Sequence, residues 1–216
     1  MTAASPALAL IRVTDLTLGY TGQAALFEHW SLSLGPGVHL LHGDSGTGKT
    51  TLLRWLAGHP GTDVASPRGI LSVHGKPAHV ADAARQVFWA SPDTRQFDDM
   101  TAREIAADAS RPYQLFDAAA WVRHAEAFGL AAHWNKPLYQ LSTGSRRKVW
   151  LATALACGCP LTLLDEPTAA LDAPSISALK QALSDPRLSA SRVILVASYG
   201  ALGDVPLAGV IELDEA

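Results

Sequence analysis

The chain has 216 residues, a formal net charge of -3 at neutral pH and 48% apolar residues. This size fits one large domain or a domain with a small insertion, and the apolar content is sufficient for a buried core. The slightly acidic balance argues against a nucleic-acid partner. Residues 1–9 lack a signal-peptide pattern, and no apolar stretch is long enough to span a bilayer. We therefore expect a cytoplasmic protein.

The sequence pattern of the first part of the chain predicts a small antiparallel sheet, followed by a short strand, a helix and two further strands. Residues 9–18 and 25–34 alternate apolar and polar positions, as antiparallel strands do. After a Gly-Pro-Gly turn, a short strand covers 38–42. The spacing of leucines then predicts a helix over 50–57, and two further strands are expected at 69–74 and 86–90.

From residue 91 to 141 the chain becomes rich in alanine, which predicts an inserted helical subdomain with helices near 102–109 and 117–128. Beyond it, strands alternate with helices, and this order favours an α/β fold with a mainly parallel sheet. The expected elements are a helix at 142–155 capped by Ser142, a buried strand at 161–165, a helix at 174–183, a strand at 193–196 and an edge strand at 209–213.

A complete phosphate-binding loop pattern, G-x-x-x-x-G-K-[ST], lies between the strand at 38–42 and the helix that follows it. Its glycines allow successive backbone N–H groups to face phosphate oxygens, and the start of the helix adds its positive end. The lysine places a charge on the β- and γ-phosphates, and the final hydroxyl can bind Mg²⁺. The loop comprises Gly43, Asp44, Ser45, Gly46, Thr47, Gly48, Lys49 and Thr50. Kinases, GTPases and ATPases all use this pattern.

Two carboxylates, Asp165 and Glu166, follow the buried strand at 161–165. The carboxyl end of a buried parallel strand is where ligands bind in such sheets. Asp165 is therefore a candidate Mg²⁺ ligand together with Thr50, and Glu166 is a candidate general base for an attacking water.

The segment Leu141-Ser142-Thr143-Gly144-Ser145, followed by three basic residues, resembles the signature sequence LSGGQ of ABC ATPases. The order and spacing of this segment, the phosphate loop and the acidic strand end resemble that family over nearly the whole chain. Residues 170–172 are similar to the family's D-loop. The resemblance places Tyr20 where the family stacks an aromatic ring on adenine, and it extends the nucleotide-binding set to Thr51.

This resemblance implies a P-loop NTPase core with an N-terminal antiparallel β subdomain, formed by 1–90 and 142–216, and a helical subdomain at 91–141. It implies that ATP with Mg²⁺ is clamped between two subunits, identical or different, with Ser142 and Gly144 binding the nucleotide of the opposite subunit. A separate transmembrane permease would dock on the helical subdomain and hold the protein at the inner face of the membrane. A soluble ABC ATPase without a transport role and a regulatory ATP-sensing module stay open as alternatives.

Three positions depart from the family pattern. Thr143 and Ser145 replace a glycine and a glutamine of the signature, and small polar residues still fit beside a phosphate. Ser91 stands at the position of the Q-loop glutamine, for which Gln96 is a possible substitute. Ser198, followed by Tyr199, stands where the family has a switch histidine. We expect slow hydrolysis, because an imidazole that orients catalytic groups is missing.

Overall fold

The computed structural model describes residues 9–78, 85–90 and 95–213. Its strands, in chain order, are β1 (Ile11–Gly19), β2 (Ala25–Leu34), β3 (Gly37–His42), β4 (Arg68–Val73), β5 (Lys76–Pro77), β6 (Val87–Ala90), β7 (Leu161–Asp165), β8 (Val193–Ser198) and β9 (Gly209–Glu212). Its α-helices are α1 (Lys49–Leu56), α2 (Ala102–Ala109), α3 (Ala118–Ala127), α4 (Thr143–Ala156), α5 (Ala173–Ser184) and α6 (Pro186–Ser189).

Helices α2 to α5 each begin where a polar side chain accepts a hydrogen bond from the first turn. Thr101 and Glu104 form a reciprocal capping box at α2, and Asp117 accepts from Ala120 N at 2.9 Å at α3. Ser142 caps α4, as the sequence predicts, and Asp172 caps α5. Such caps satisfy amides that have no partner inside the helix, so they fix where each helix starts.

The first strands form a separate antiparallel sheet in the order β2-β1-β4-β5. Its pairing runs from Ile11 opposite Leu34 to Gly19 opposite Ala25, with irregularities that bend β1. The predicted antiparallel β subdomain is thereby confirmed. The two-residue strand β5 was not predicted, because it is too short for an alternating pattern and contains a proline.

The second sheet is parallel in all its described pairings and has the order β6-β7-β8-β3-β9. Every residue of β7 and β8 is buried, which explains why both read as continuous apolar runs in the sequence. The predicted edge position of the last strand is confirmed, since β9 pairs with β3 alone among the described strands.

Hydrophobic clusters cover both faces of this sheet. Leu41, Leu163 and Leu195 pack with α1 and with the antiparallel sheet. Leu40 and Leu164, which point the other way, pack with the cluster formed by α2, α3, α4 and α5. Within the residues that the structure describes, no helix combines the length and the apolarity needed to cross a membrane.

Arg192 is buried at the carboxyl end of α4, where its side chain donates hydrogen bonds to carbonyl groups of the last turn. Its guanidinium group donates to the carbonyl oxygens of Leu155 at 2.8 Å and Leu188 at 2.7 Å, and more weakly to Ala154. Two free cysteines, Cys157 and Cys159, are buried beside it, as expected for small apolar packing residues. The arginine ties α4 to the segment before β8.

We predict that Arg192→Leu lowers the free energy of unfolding by about 2–4 kcal/mol, because several buried carbonyl groups lose their charged donor. Urea unfolding followed by circular dichroism measures this change. Arg187→Leu is the matched control, since Arg187 is exposed and, among the described residues, forms its ion pair with the nearby Asp185. Its midpoint should match that of the wild type. Equal midpoints for the two variants would contradict the role given to Arg192.

Candidate nucleotide-binding site

The carboxyl ends of β3, β7 and β8 lie at one edge of the parallel sheet. In the register, Asp165 is the partner of Ala197, and Ala197 is the partner of Leu41. The phosphate loop after β3, the acidic pair after β7 and the segment after β8 therefore start side by side. This edge is where parallel sheets bind ligands.

Glycines set the shape of the loop. A Cβ at Gly43 would lie 2.8 Å from both Leu213 O and Thr47 Oγ1, so the chain can leave β3 only without a side chain there. Gly46 and Gly48 both have φ of 92°, in the left-handed region that favours glycine. The Thr47 hydroxyl closes the loop by donating to Asp44 O at 3.0 Å. The loop is thus held in a strongly curved path that can surround an anion.

Lys49 is buried, and its ammonium group donates to Gly43 O at 2.5 Å and to Asp44 O at 2.7 Å. Among the described residues these two carbonyls account for two of its three protons, which leaves one donor for a phosphate oxygen. The Thr50 hydroxyl donates to Asp165 Oδ2 at 2.8 Å. The oxygen atoms of Thr50 and Asp165 come from elements far apart in the sequence. Both are hard ligands that fit a Mg²⁺ ion, which would take its other ligands from phosphates and water.

Glu166 occupies a strained position after β7, with φ of 41°. Its amide continues the sheet by donating to Ala197 O, and its Oε1 accepts from the Tyr199 amide at 3.1 Å. Its buried Oε2 has no hydrogen-bond partner among the described residues. Loss of water around the carboxyl group raises the pKa of Glu166 despite the opposing charge of Lys49. A raised pKa and a free acceptor suit a general base.

A cleft of about 590 Å³ collects these groups. Its lining includes Tyr20, Asp44, Ser45, Gly46, Gly48, Lys49, Thr50, Thr51, Asp165, Glu166 and Tyr199. Desolvation also raises the pKa of Asp165, while the Thr50 hydroxyl and Lys49 oppose this shift. A divalent cation bound in the cleft would therefore contact carboxylates that are already partly desolvated, and an anion would contact the buried ammonium group of Lys49.

The sequence profile of ABC transporters matches residues 27–169, which is most of the chain. The chain belongs to the ABC transporter ATP-binding family. It is 36% identical to an uncharacterised ABC transporter ATP-binding protein of Haemophilus influenzae over 76% of this chain and 65% of that protein. It is 31% identical to the cytochrome c biogenesis ATP-binding export protein CcmA of Pseudomonas savastanoi over 97% of this chain and 96% of that protein.

The fold agrees with the family. CbiO1 of Clostridium perfringens, part of the ABC transporter complex CbiONQ, superimposes with a TM-score of 0.71 and 19% sequence identity. The overlap covers 96% of this chain and 85% of CbiO1. The P-loop NTPase fold expected from the sequence is thereby confirmed, and the ATP-binding character is confirmed by the family match and the relatives reported above.

The ABC signature lies at the start of α4, and Ser142 and Gly144 are not among the residues that line the cleft. The Ser142 hydroxyl accepts from Ser145 N at 3.2 Å and donates to Ser145 Oγ at 3.0 Å. A Cβ at Gly144 would lie 2.5 Å from Ala170 O, so the signature packs closely against the D-loop of its own chain. The structure thus separates the two halves of the predicted site.

Tyr20 lines the cleft, and its hydroxyl group forms a 2.8 Å hydrogen bond with Thr51 Oγ1. Thr51 itself is buried in the first turn of α1. The ring is therefore tethered to the helix that carries the phosphate loop. The tether places an aromatic side chain in the cleft, where the sequence expectation puts a base-stacking residue.

The positions of the Q-loop glutamine and of the switch histidine, where the sequence departs from the ABC pattern, are placed as follows. Ser91 lies outside the described residues, and Gln96 lines a separate cleft near Trp89 and Trp150. Ser198 is buried at the end of β8, where its hydroxyl accepts from Gly200 N at 3.2 Å. Desolvation raises the pKa of Glu166, and the Ser198 side chain acts on that carboxylate to lower it, so the residue at the switch position contributes to its own turn and to the candidate base.

Two neighbouring residues were missed by the sequence reasoning. His42 precedes the loop and contacts both Glu212 and the Tyr199 carbonyl. Arg147, in α4, donates to Glu166 O and so braces the strained turn. The position of His42 at a strand end was a usable signal, whereas the contact of Arg147 depends on how α4 packs.

We predict that Gly43→Ala lowers the affinity for MgATP by at least about tenfold, because the added Cβ displaces the loop from Leu213 and Thr47. Titration with a fluorescent ATP analogue measures the affinity. Gly75→Ala is the control: Gly75 also has a positive φ, of 73°, but lies in the turn between β4 and β5. This variant should lose stability and keep its affinity, and a similar loss of affinity in both would contradict the steric argument.

Proposed function

We propose that this chain is the ATP-hydrolysing subunit of an ABC transporter, driven by head-to-tail pairing of two nucleotide-binding subunits around ATP. The observation that carries the proposal is the cleft, in which Lys49, Thr50, Asp165 and Glu166 converge while the signature lies elsewhere. The cleft supplies the groups for phosphate, cation and water, and a signature from a second subunit would complete it.

The residues of the cleft suggest a division of tasks. The loop amides and Lys49 hold the phosphates, and Tyr20 provides a surface for the base. Thr50 and Asp165 would hold Mg²⁺, which when bound neutralises charge on the phosphates. Glu166 would take a proton from the attacking water through its unpaired Oε2. The Tyr199 amide keeps the other carboxylate oxygen fixed.

The pairing of two subunits follows from the position of the signature. Amides in the first turn of a helix have no intrahelical acceptors, and they carry the positive end of the helix dipole. In α4 the capping hydroxyl of Ser142 satisfies the amide of Ser145, which leaves the amide of Gly144 suited to an anion. We propose that this anion is the γ-phosphate held by the opposite subunit, identical or different. Hydrolysis of ATP would release this phosphate and allow the two subunits to separate.

A membrane permease is the proposed partner, with residues 91–141 as the helical subdomain that contacts it. The names of the relatives support a transport role: CcmA is an export protein, and CbiO1 is part of a transporter complex. The protein would be cytoplasmic and held at the inner face of the membrane through the permease. A soluble ABC ATPase is the competing proposal, and co-purification with a membrane protein would distinguish the two.

We also propose that hydrolysis is slow, since Ser198 at the switch position is turned toward Gly200 and offers no imidazole to the cleft. The chain would then either turn over slowly or form one half of an asymmetric pair whose partner has the better site. A purely regulatory ATP-binding module is the alternative that an activity measurement excludes or supports.

We predict that Glu166→Gln reduces ATP turnover by about 10²-fold or more while MgATP binding persists, because the variant removes the base but keeps the shape of the side chain. Lys49→Ala should instead abolish binding. A coupled phosphate-release assay and equilibrium nucleotide binding, run on the same preparations, separate these effects. Equal turnover in the wild type and Glu166→Gln would contradict the assigned base, and unchanged binding in Lys49→Ala would contradict nucleotide binding at this loop.

We predict that the ring of Tyr20, rather than its hydroxyl group, contributes to ATP affinity. Tyr20→Ala should weaken binding by about tenfold, the worth of one aromatic stack on a base. Tyr20→Phe and Thr51→Val each remove the same hydrogen bond from opposite sides, so their effects should be small and alike. If Tyr20→Phe loses as much affinity as Tyr20→Ala, the tether to Thr51 and not the stack accounts for the effect.

A further inference from the structure

His42 is the last residue of β3 and lies in register between Ser198 of β8 and Glu212 of β9. Its Nδ1 is 2.7 Å from Glu212 Oε2, and its Nε2 is 3.0 Å from Tyr199 O. A carboxylate and a backbone carbonyl can only accept hydrogen bonds, so both ring nitrogens have to donate. A neutral imidazole has a single N–H group. Both contacts therefore form only when His42 is an imidazolium ion.

Tyr199 connects this imidazolium ion to the proposed base. The carbonyl of Tyr199 accepts from His42, and the amide of the same residue donates to Glu166 Oε1. The turn between them is closed by the bond from Gly200 N to Ser198 Oγ. His42 is not among the residues that line the cleft, and Tyr199 contacts both His42 and Glu166.

We propose that His42, as an imidazolium ion paired with Glu212, is a positioning residue for ATP hydrolysis that fixes the Tyr199 backbone and thereby the Glu166 carboxylate. The proposal rests on the proposed function. The His42 contact also explains how the segment after β8 is held in a chain that has Ser198 at the switch position. The imidazole ring belongs to the neighbouring strand β3 and does not line the cleft.

The charges around His42 set the direction of its pH dependence. Glu212 faces the ring from β9 and Asp44 from the phosphate loop, and Lys49 of that loop donates to the carbonyl of Gly43, next to His42. Across the turn lie Glu166 and the exposed phenol of Tyr199. The hydrogen bond with Glu212, followed by that with Tyr199 O, raises the pKa of His42. The two bonds are therefore complete below the raised pKa and are lost as the pH rises through it.

The first experiment measures ATP turnover from neutral pH to about pH 9.5, a range in which the ring of His42 is expected to lose its proton. Wild-type kcat should fall along an alkaline limb. In His42→Gln, kcat at neutral pH should be about three- to tenfold lower, the worth of one net hydrogen bond, with little change in KM and no limb. In Glu212→Gln the limb should move to lower pH, because the anion that stabilises the charged ring is gone.

His29→Gln is the matched control. His29 also pairs with a carboxylate, Asp15, at 2.7 Å, but it belongs to the antiparallel sheet and does not line the cleft. Its replacement should leave the whole pH profile unchanged. A His42→Gln profile that superimposes on that of the wild type overturns the proposal, as does a limb that moves equally in His29→Gln.

The second experiment does not depend on hydrolysis. The ¹⁵N chemical shifts of the His42 ring, assigned by comparison with His42→Gln, should show both nitrogens protonated at neutral pH in the wild type. The midpoint of this titration should match the alkaline limb and fall in Glu212→Gln. A neutral ring at pH 7 overturns the inference even if ATP is hydrolysed. A charged ring in a protein without ATP turnover instead overturns the proposed function and, with it, the positioning role.

Discussion

The parallel, in-register pairing of β3, β7 and β8 is the constraint on which the site depends. It brings Asp165, Ala197 and Leu41 level, so the residues that follow them leave the sheet at one edge. The hydrogen bond from Thr50 to Asp165 and the contact between Tyr199 and Glu166 exist only because of this alignment. A slip of one residue in β7 would turn Asp165 to the other face of the sheet and separate it from Thr50. The buried apolar side chains of β7 and β8 oppose such a slip from both faces.

Patterns within short stretches of sequence predicted the features that depend on residues close together in the chain. The phosphate loop, the acidic pair and the cap at Ser142 could be identified because backbone curvature, strand burial and capping are encoded within a few positions. The bounds of β7 match the expectation for the same reason. The order of the strands is not local, so the pairing of His42 with Glu212 could not be predicted from residues 170 positions apart. The hydrogen bond between Tyr20 and Thr51 could likewise not be predicted from the sequence, because it requires the antiparallel sheet to pack beside α1.

Burial and charge act in opposite directions on the two acidic residues. Loss of water raises the pKa of both Asp165 and Glu166, while Lys49 counters the shift on each. Glu166 also lies in a left-handed conformation that costs on the order of 1–3 kcal/mol. The chain retains this arrangement because the sheet, the Tyr199 amide and Arg147 together determine it. Bound phosphate and cation would compensate charges that the folded chain has already withdrawn from water, which is the physical basis for binding at this edge.

The basic residues that follow the signature bear on the proposed second anion site. Arg146 pairs with Asp98, Arg147 with the Glu166 carbonyl, and Lys148 with Asp172 of the D-loop at 2.6 Å. These contacts connect α4 to the segment before α2, to the turn after β7 and to the start of α5. The three cations thus make contacts within their own chain, and the amides at the start of α4 are the donors that we propose for a phosphate of the second subunit. In the proposed pair of subunits, a phosphate bound at these amides would contact the same helix whose Arg147 donates to the Glu166 carbonyl. One helix thus carries the signature in its first turn and the contact with the Glu166 turn in its next turn, so both parts of the proposed site depend on how α4 packs.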